Sequence, residues 1–323
     1  MRDRVSRRAV LVAAAASLPL LTSFAAAPPA AAADKIIKMG GLKLIHSIAP
    51  QFYAQFTPPG YKVEIVLFDS PTDGKNAVVT NSVDFGMFGL AAATIGGAAG
   101  EPVVVIAAAC NRGMAVVARA DGPIGTIKDL KGKRLGILPG STQEVVILDR
   151  LKMEGMTIKD VQPVRVLFGE MPAALERGDI DAYVGAEPGP GISLASGVGK
   201  IVEYPYSTPT GSLNMVFATS QKVIDSDPAM VRLMLEIHRK ASEYAMAHPA
   251  ELAEMTVQKL GQKRDSIDKA IGNVELTWKI DEQFLKQAHY YGTQMLEMKQ
   301  IRALPDYNSF INPSFVAELM KAS

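Results

Sequence analysis

The chain has 323 residues, with 34 Lys and Arg against 33 Asp and Glu, so its net charge is only +1 and it has no broad basic field of the kind that holds nucleic acid. One cysteine, Cys110, excludes an internal disulfide and a thiolate metal site. Four histidines, His46, His238, His248 and His289, show no metal-ligand spacing.

The first segment, MRDRVSRRAVLVAAAASLPLLTSFAAAPPAAAA, has Arg2, Arg4, Arg7 and Arg8 before an apolar run from Ala9 to about Leu21. Small residues then lead to an expected cleavage near Ala33, the layout of a secretory signal peptide. The apolar run is shorter than the ~20 residues a membrane span needs, so export is expected rather than anchoring. SRRAVLV also fits a twin-arginine signal, except that Val10 and Val12 stand where that motif prefers phenylalanine and lysine, and Sec export is the alternative. Cleavage would change the net charge from +1 to −2 and leave enough chain for one large or two medium domains.

Strand-like runs follow at 35–40, 62–68, 83–89 and 102–108, with helix candidates at 72–81 and in LAAATIGGAAG between them. This β-α-β-α alternation predicts a mostly parallel sheet covered by helices. After NRGMAVVARADGP the pattern restarts, with strands at 133–140, 161–168, 181–185 and 200–206 and helices at 142–154 and 170–177. SVDFGMFGLAA matches DIDAYVGAEPG, placing Asp84 opposite Asp181 and suggesting two repeated α/β lobes. From 212–224 onward the chain is expected to be largely helical. Met230, Leu233, Met234, Ile237, Ala241 and Tyr244 recur at helical spacing there, and this bundle is expected to cover the first lobe. Two crossings, near 109–113 and 207–213, would set strand carboxyl ends face to face across a cleft, where open α/β sheets bind ligands.

IKDLKGKRLGILPGST, LKMEGMTIKDVQPV, MPAALERGDIDAYVGAEP and VDFGMFGLAAATIGGAAGEPVVVIA together resemble the periplasmic solute-binding proteins of ABC importers, of the nitrate/sulfonate/taurine type. The resemblance implies an α/β, two-lobe periplasmic-binding-protein fold, type II-like, with a ligand cleft between the lobes and C-terminal helices. It divides the chain into a signal (1–33), a first lobe (34–111), a second lobe (112–212) and a return to the first lobe with the C-terminal helices (213–323). It implies a periplasmic monomer that closes on a small solute and delivers it to a membrane permease with its cytoplasmic ATPase.

Ser141 and Glu144 have capping-box spacing, in which each side chain satisfies an amide at the helix start. The same helix start points free N–H groups outward and favours an anion, with Thr142 and Gln143 as added donors. Gly41 and Leu42, beside Gly40, follow the first strand and permit close backbone approach. Lys43 and His46 come next, as a candidate counter-charge and a candidate hydrogen-bonding ring. Asp69 and Ser70 end the second strand, and Leu90 opens the helix after the third. Asn111 and Arg112 occupy the first crossing, and Asn214 the second. Glu187 ends a second-lobe strand, where its carboxylate suits an amine or ring N–H, and Glu170 is expected to start a helix. Trp278 is expected to pack in the C-terminal region.

The chain has no G-x-S-x-G elbow, Walker loop or dinucleotide fingerprint after a strand, so no enzyme activity and no cofactor is expected. The leading reading is capture of a small organic anion or zwitterion, sulfonate-type first. The alternatives are a pyrimidine or thiamine precursor or an aromatic carboxylate, a ligand-presenting sensory protein, and a pyrimidine-precursor synthase-like enzyme. That synthase group carries a cysteine-rich segment with no counterpart here.

Overall fold

The computed structural model describes residues 34–321; the expected export signal lies outside the described residues. β1 (Lys35–Leu42) and β2 (Tyr61–Phe68) run parallel, from Lys35 opposite Tyr61 to Leu42 opposite Phe68. α1 (Pro71–Val79), β3 (Phe85–Gly89), α2 (Leu90–Ala98) and β4 (Val103–Arg112) continue the alternation. After Gly113 alone, β5 (Met114–Arg119) begins, followed by β6 (Arg134–Ile137), α3 (Thr142–Met153), β7 (Gln162–Arg165), α4 (Met171–Arg177), β8 (Ala182–Ala186), α5 (Gly189–Ala195) and β9 (Gly199–Glu203). The remainder is β10 (Leu213–Ser220), α6 (Gln221–Ser226), α7 (Pro228–Ala247), α8 (Pro249–Leu260), α9 (Arg264–Ala270), β11 (Val274–Leu276), α10 (Glu282–Glu297), α11 (Tyr307–Phe310) and α12 (Ser314–Lys321).

Two sheets result, ordered β11-β4-β10-β3-β1-β2 and β7-β6-β8-β5-β9. Each has three parallel strands and then an antiparallel one supplied by a crossing: β10 between β3 and β4, and β5 between β8 and β9. This is the two-lobe α/β architecture that the alternation predicts. Among the described residues no helix is long and apolar enough to cross a membrane.

The Asp84–Asp181 match is structural. The Asp84 carboxylate accepts the Lys38 N–H of β1 at 2.8 Å, and the Asp181 carboxylate accepts the Arg134 N–H of β6 at 2.8 Å. Each aspartate also donates its own N–H to the carbonyl of that same residue, at 2.9 Å. In both sheets one acid thus pins the third strand to the first. In the second sheet the Arg134 side chain adds an ion pair at 2.7 Å, so the acid there does more than organise a turn.

Of segment 212–224, expected to open a helical region, Leu213–Ser220 is strand β10 with all eight residues buried, and the helical region begins only with α6 at Gln221. β10 lies inside its sheet with α1, α2, α3 and α10 packed against it, so both of its faces are covered and the period-2 signal that would mark a half-exposed strand is missing. β5, also buried along most of its length, carries the same ambiguity. The C-terminal helices do not all lie on the first sheet's side. α7 and α12 pack there, whereas α9 sits on α5, so closely that a Cβ on Gly191 would come within 2.4 Å of the Ser266 carbonyl oxygen. α10 reaches α3.

Candidate functional site

Gly140, at φ +78°, turns the chain from β6 into α3. Ser141 is buried as the N-cap, its Oγ accepting the Glu144 N–H at 3.2 Å. The other half of the expected capping box differs. Glu144 Oε2 accepts the Gly140 N–H at 2.8 Å, while the Ser141 N–H goes to the Leu138 carbonyl. The same Oε2 accepts Gln300 Nε2 at 2.9 Å. Burial pushes the Glu144 carboxyl above its ordinary range, opposed by those two donors.

Thr142 is fully buried. Its Oγ1 donates to the Asn214 carbonyl at 3.2 Å and accepts the Ala91 N–H at 3.4 Å. Gln143 Nε2 lies 3.5 Å from Asn214 Oδ1, and Asn214 Nδ2 donates to the Arg112 carbonyl at 2.7 Å. Leu90, Thr142, Gln143 and Asn214 are therefore brought together, with α3 of one sheet meeting α2 of the other across β10. The α2 N-cap is Gly89, which has no side chain to accept from the helix's free amides. It is tightly placed: a Cβ there would stand 2.7 Å from Thr142 Oγ1. Two helix amino ends, each equivalent to roughly half a positive charge, thus face one another in a buried setting.

The other candidates are distributed around this junction. Leu42 donates its N–H to Ser47 Oγ at 3.0 Å, and a Cβ on the neighbouring Gly41 would approach Ser47 Cβ at 3.3 Å. Ser70 caps α1, accepting the Asp73 N–H at 3.2 Å and donating to its carboxylate at 2.7 Å. Lys43, the candidate counter-charge, is paired with Asp69 at 2.8 Å on the surface. Asn111 lines a cavity of about 440 Å³ with Glu243, Trp278 and Gln287, to which Leu90, Thr142 and Gln143 do not contribute. Arg112, at φ +61°, places its guanidinium 5.6 Å from the Tyr206 ring centre. Trp278 is packed as expected and donates its ring N–H to Glu243 at 3.0 Å.

Glu187 is 1% exposed. Its Oε2 accepts the Gly191 N–H at 3.0 Å and its Oε1 accepts Asn273 Nδ2 at 3.1 Å. With two neutral donors and no cation bonded to it, burial pushes its carboxyl up to about 7. Its backbone ties three segments together, donating to the Gly113 carbonyl at 3.0 Å and accepting from Ile45 at 3.3 Å. His46 is wholly buried against Gly113, and neither ring nitrogen has a hydrogen-bond partner among the described residues. Burial holds its pKa down at about 4, so the ring is neutral at pH 7.

A second cavity of about 510 Å³ opens between the carboxyl ends of β1 and β2 and those of β7 and β8. Leu44, Leu67, Leu167, Phe168, Pro188 and Ile192 give it apolar walls, while Lys43, Asp69, Glu170 and Lys259 also line it. β3 borders β1, and β6 lies between β7 and β8, so this cavity and the α2–α3 junction lie at the carboxyl ends of neighbouring strands. Among the described residues no cluster of His, Cys, Asp and Glu is arranged to hold a metal ion.

Sequence reasoning missed Gly89, Ala91, Asn273 and Gln300. Gly89 had a local signal, a small residue ending a strand before a helix. Gln300 had none, since it acts 156 positions from Glu144.

Comparison with known proteins gives the family and the fold. A family described as NMT1/THI5 like matches residues 51–252. An Escherichia coli (strain K12) protein described as aliphatic sulfonates-binding is 25% identical over 147 residues, 45% of this chain and 46% of that protein, so the match spans about half of each. The alkanesulfonate-binding protein SsuA of Xanthomonas axonopodis pv. citri, solved with bound MOPS, superposes with a TM-score of 0.76 at 18% identity, covering 87% of this chain and 100% of that one. The periplasmic nitrate-binding protein NrtA of Synechocystis PCC 6803 superposes with a TM-score of 0.72 at 15% identity, covering 90% of this chain and 89% of that one. With its two interlocked α/β sheets on the periplasmic-binding-protein fold and its match over residues 51–252, the chain belongs to the NMT1/THI5-like family.

Proposed function

We propose that this protein is the extracytoplasmic, periplasmic solute-binding subunit of an ABC importer. It captures a small organic anion of the sulfonate type by hinge closure and passes it to a membrane permease. The lobes are 34–111 with 213–323, and 112–212, and the protein acts as a monomer without catalysis.

The observation that carries this reading is the α2–α3 junction. Two like-signed helix amino ends are held together with only neutral groups bonded between them, and an anion placed there would relieve both. Opening the two sheets by a small hinge motion at Gly113 would admit it. The neighbouring cavity, with its largely apolar walls, suits an organic substituent more than a bare inorganic ion. Glu187 already has protein donors on both oxygens, which favours a simple anion over one that must bring an amine.

Titration calorimetry against ethanesulfonate, taurine, MOPS, benzoate, nitrate and a pyrimidine tests this. Saturable heat with a sulfonate is expected. No heat with any anion of the panel would overturn the anion assignment, and heat with the pyrimidine alone would replace it.

A further inference from the structure

We infer that Gln300, acting through Glu144, is a positioning residue for solute binding: it fixes the amino end of α3 from outside the cleft. This rests on reading the α2–α3 junction as the solute site.

α10 has two faces. Phe284, Ala288, Tyr291 and Met295 are buried, and the Tyr291 hydroxyl donates to the Leu213 carbonyl of β10 at 2.9 Å, which seats the helix on the six-stranded sheet. A flank beside that stripe meets α3, an element of the other sheet's lobe, through polar groups. The Tyr290 hydroxyl donates to Asp149 at 3.3 Å, and Lys152 reaches Gln294 at 3.2 Å and Glu297 at 2.6 Å. Just beyond the helix, Gln300 donates to Glu144.

These two contacts differ in kind. Separating the apolar seat would expose hydrocarbon to water, whereas hydrogen bonds exchange for bonds to water at small net cost. Two acceptors at the polar contact, Asp149 Oδ2 and Gln300 Oε1, are buried without a partner among the described residues, so they regain hydration when it opens. α10 is therefore seated on its own sheet, and it reaches α3 through polar contacts.

Glu144 is where this contact meets the site. One oxygen, Oε2, takes both the Gln300 carboxamide and the Gly140 N–H, and Gly140 is the turn that aims Ser141 and Thr142. Gln300 therefore holds the turn through a shared acceptor without touching the junction. Of the charged groups on the facing elements, Lys152 and Glu297 are paired with each other, Arg150 with Glu154 and Glu203, and Asp149 accepts the Tyr290 hydroxyl.

The test uses the full chain, calorimetry with ethanesulfonate and MOPS, and hydrogen exchange of the ligand-free protein. Gln300→Glu sets two carboxylates together and should weaken probe binding about tenfold at pH 8, with recovery toward pH 5 as a proton bridges the pair. Adding Glu144→Gln to that variant should restore affinity at pH 8, because the carboxamide keeps an acceptor for Gly140 and offers a donor to the introduced carboxylate. In Gln300→Ala, amides 142–145 should exchange about tenfold faster while β1 amides keep their rates. Unchanged affinity and exchange would overturn the inference. So would equal acceleration in α3 and β1, which marks general destabilisation, or failure of the paired substitution to recover. If the unaltered protein binds neither probe, the solute reading falls, and the exchange comparison still decides whether Gln300 positions α3.

Discussion

Glu187→Gln should make the variant less stable than the parent in acid and more stable above neutrality. In the folded protein this carboxyl releases its proton at about 7, against the ordinary value of 4.5. Below pH 4.5 both folded and unfolded chains hold the proton, and the buried group costs nothing through ionisation. As pH rises through 7 the unfolded chain has already ionised in water, while the folded chain must carry a charge away from solvent. The stability contributed by the protonated form is thus fully present in acid and lost above about pH 7. The difference of 2.5 units corresponds to about 3 kcal/mol at ~1.36 kcal/mol per unit. Glutamine escapes that cost, but its single oxygen serves only one of the Gly191 N–H and Asn273 Nδ2 donors, losing about 1 kcal/mol at every pH. The variant should be less stable by about 1 kcal/mol at pH 3 and more stable by about 2 kcal/mol at pH 8, the curves crossing at about pH 5. Urea unfolding of both proteins across that range measures the difference, to which the other carboxyls contribute equally. Parallel stability curves would refute the argument, because they would mean that Glu187 is hydrated.

Gly89→Ala should drive α2 and α3 apart, since its Cβ would stand 2.7 Å from Thr142 Oγ1, although the backbone at φ −61° accepts alanine without strain. Weaker binding of ethanesulfonate and a larger radius of gyration by solution scattering are expected; unchanged values in both would count against the junction as the closing contact. Thr142→Ala and Gln143→Ala should weaken sulfonate binding more than they lower the melting temperature, and intact affinity would reduce this stretch to a helix start. Ser141→Ala removes the cap accepting the Glu144 N–H and should cost about 0.5–2 kcal/mol in urea unfolding. Cys110, fully buried with its thiol pushed above the ordinary range chiefly by burial, should react with a thiol reagent only at the rate of unfolding. Fast labelling of the native protein would contradict that.

The repeated β-α-β plan is legible in the chain alone, because parallel strands flanked by helices leave apolar runs, glycine turns and capping residues in local order. So is the start of α3, since Ser141 and Glu144 stand within one helical turn, although the acid's partner proved to be Gly140. The Asp84–Asp181 register was legible for the same reason: each acid lies one residue before its strand.

Tertiary structure decided the rest. β10 was unreadable as a strand because the helices packed on its sheet bury both of its faces and erase alternation, and only the folded chain supplies that cover. Thr142 and Leu90 open helices of different lobes, and their meeting depends on how the lobes close. Lys43, an available cation in the sequence, is taken by Asp69. Glu187 sits at the end of a strand where polar groups are ordinary, yet the fold buries it and raises its pKa. Gln300 gains its role only because α10 crosses to α3. Local order in a chain records which elements form, while the desolvation and long-range partners that give a side chain its chemistry exist only once those elements are packed.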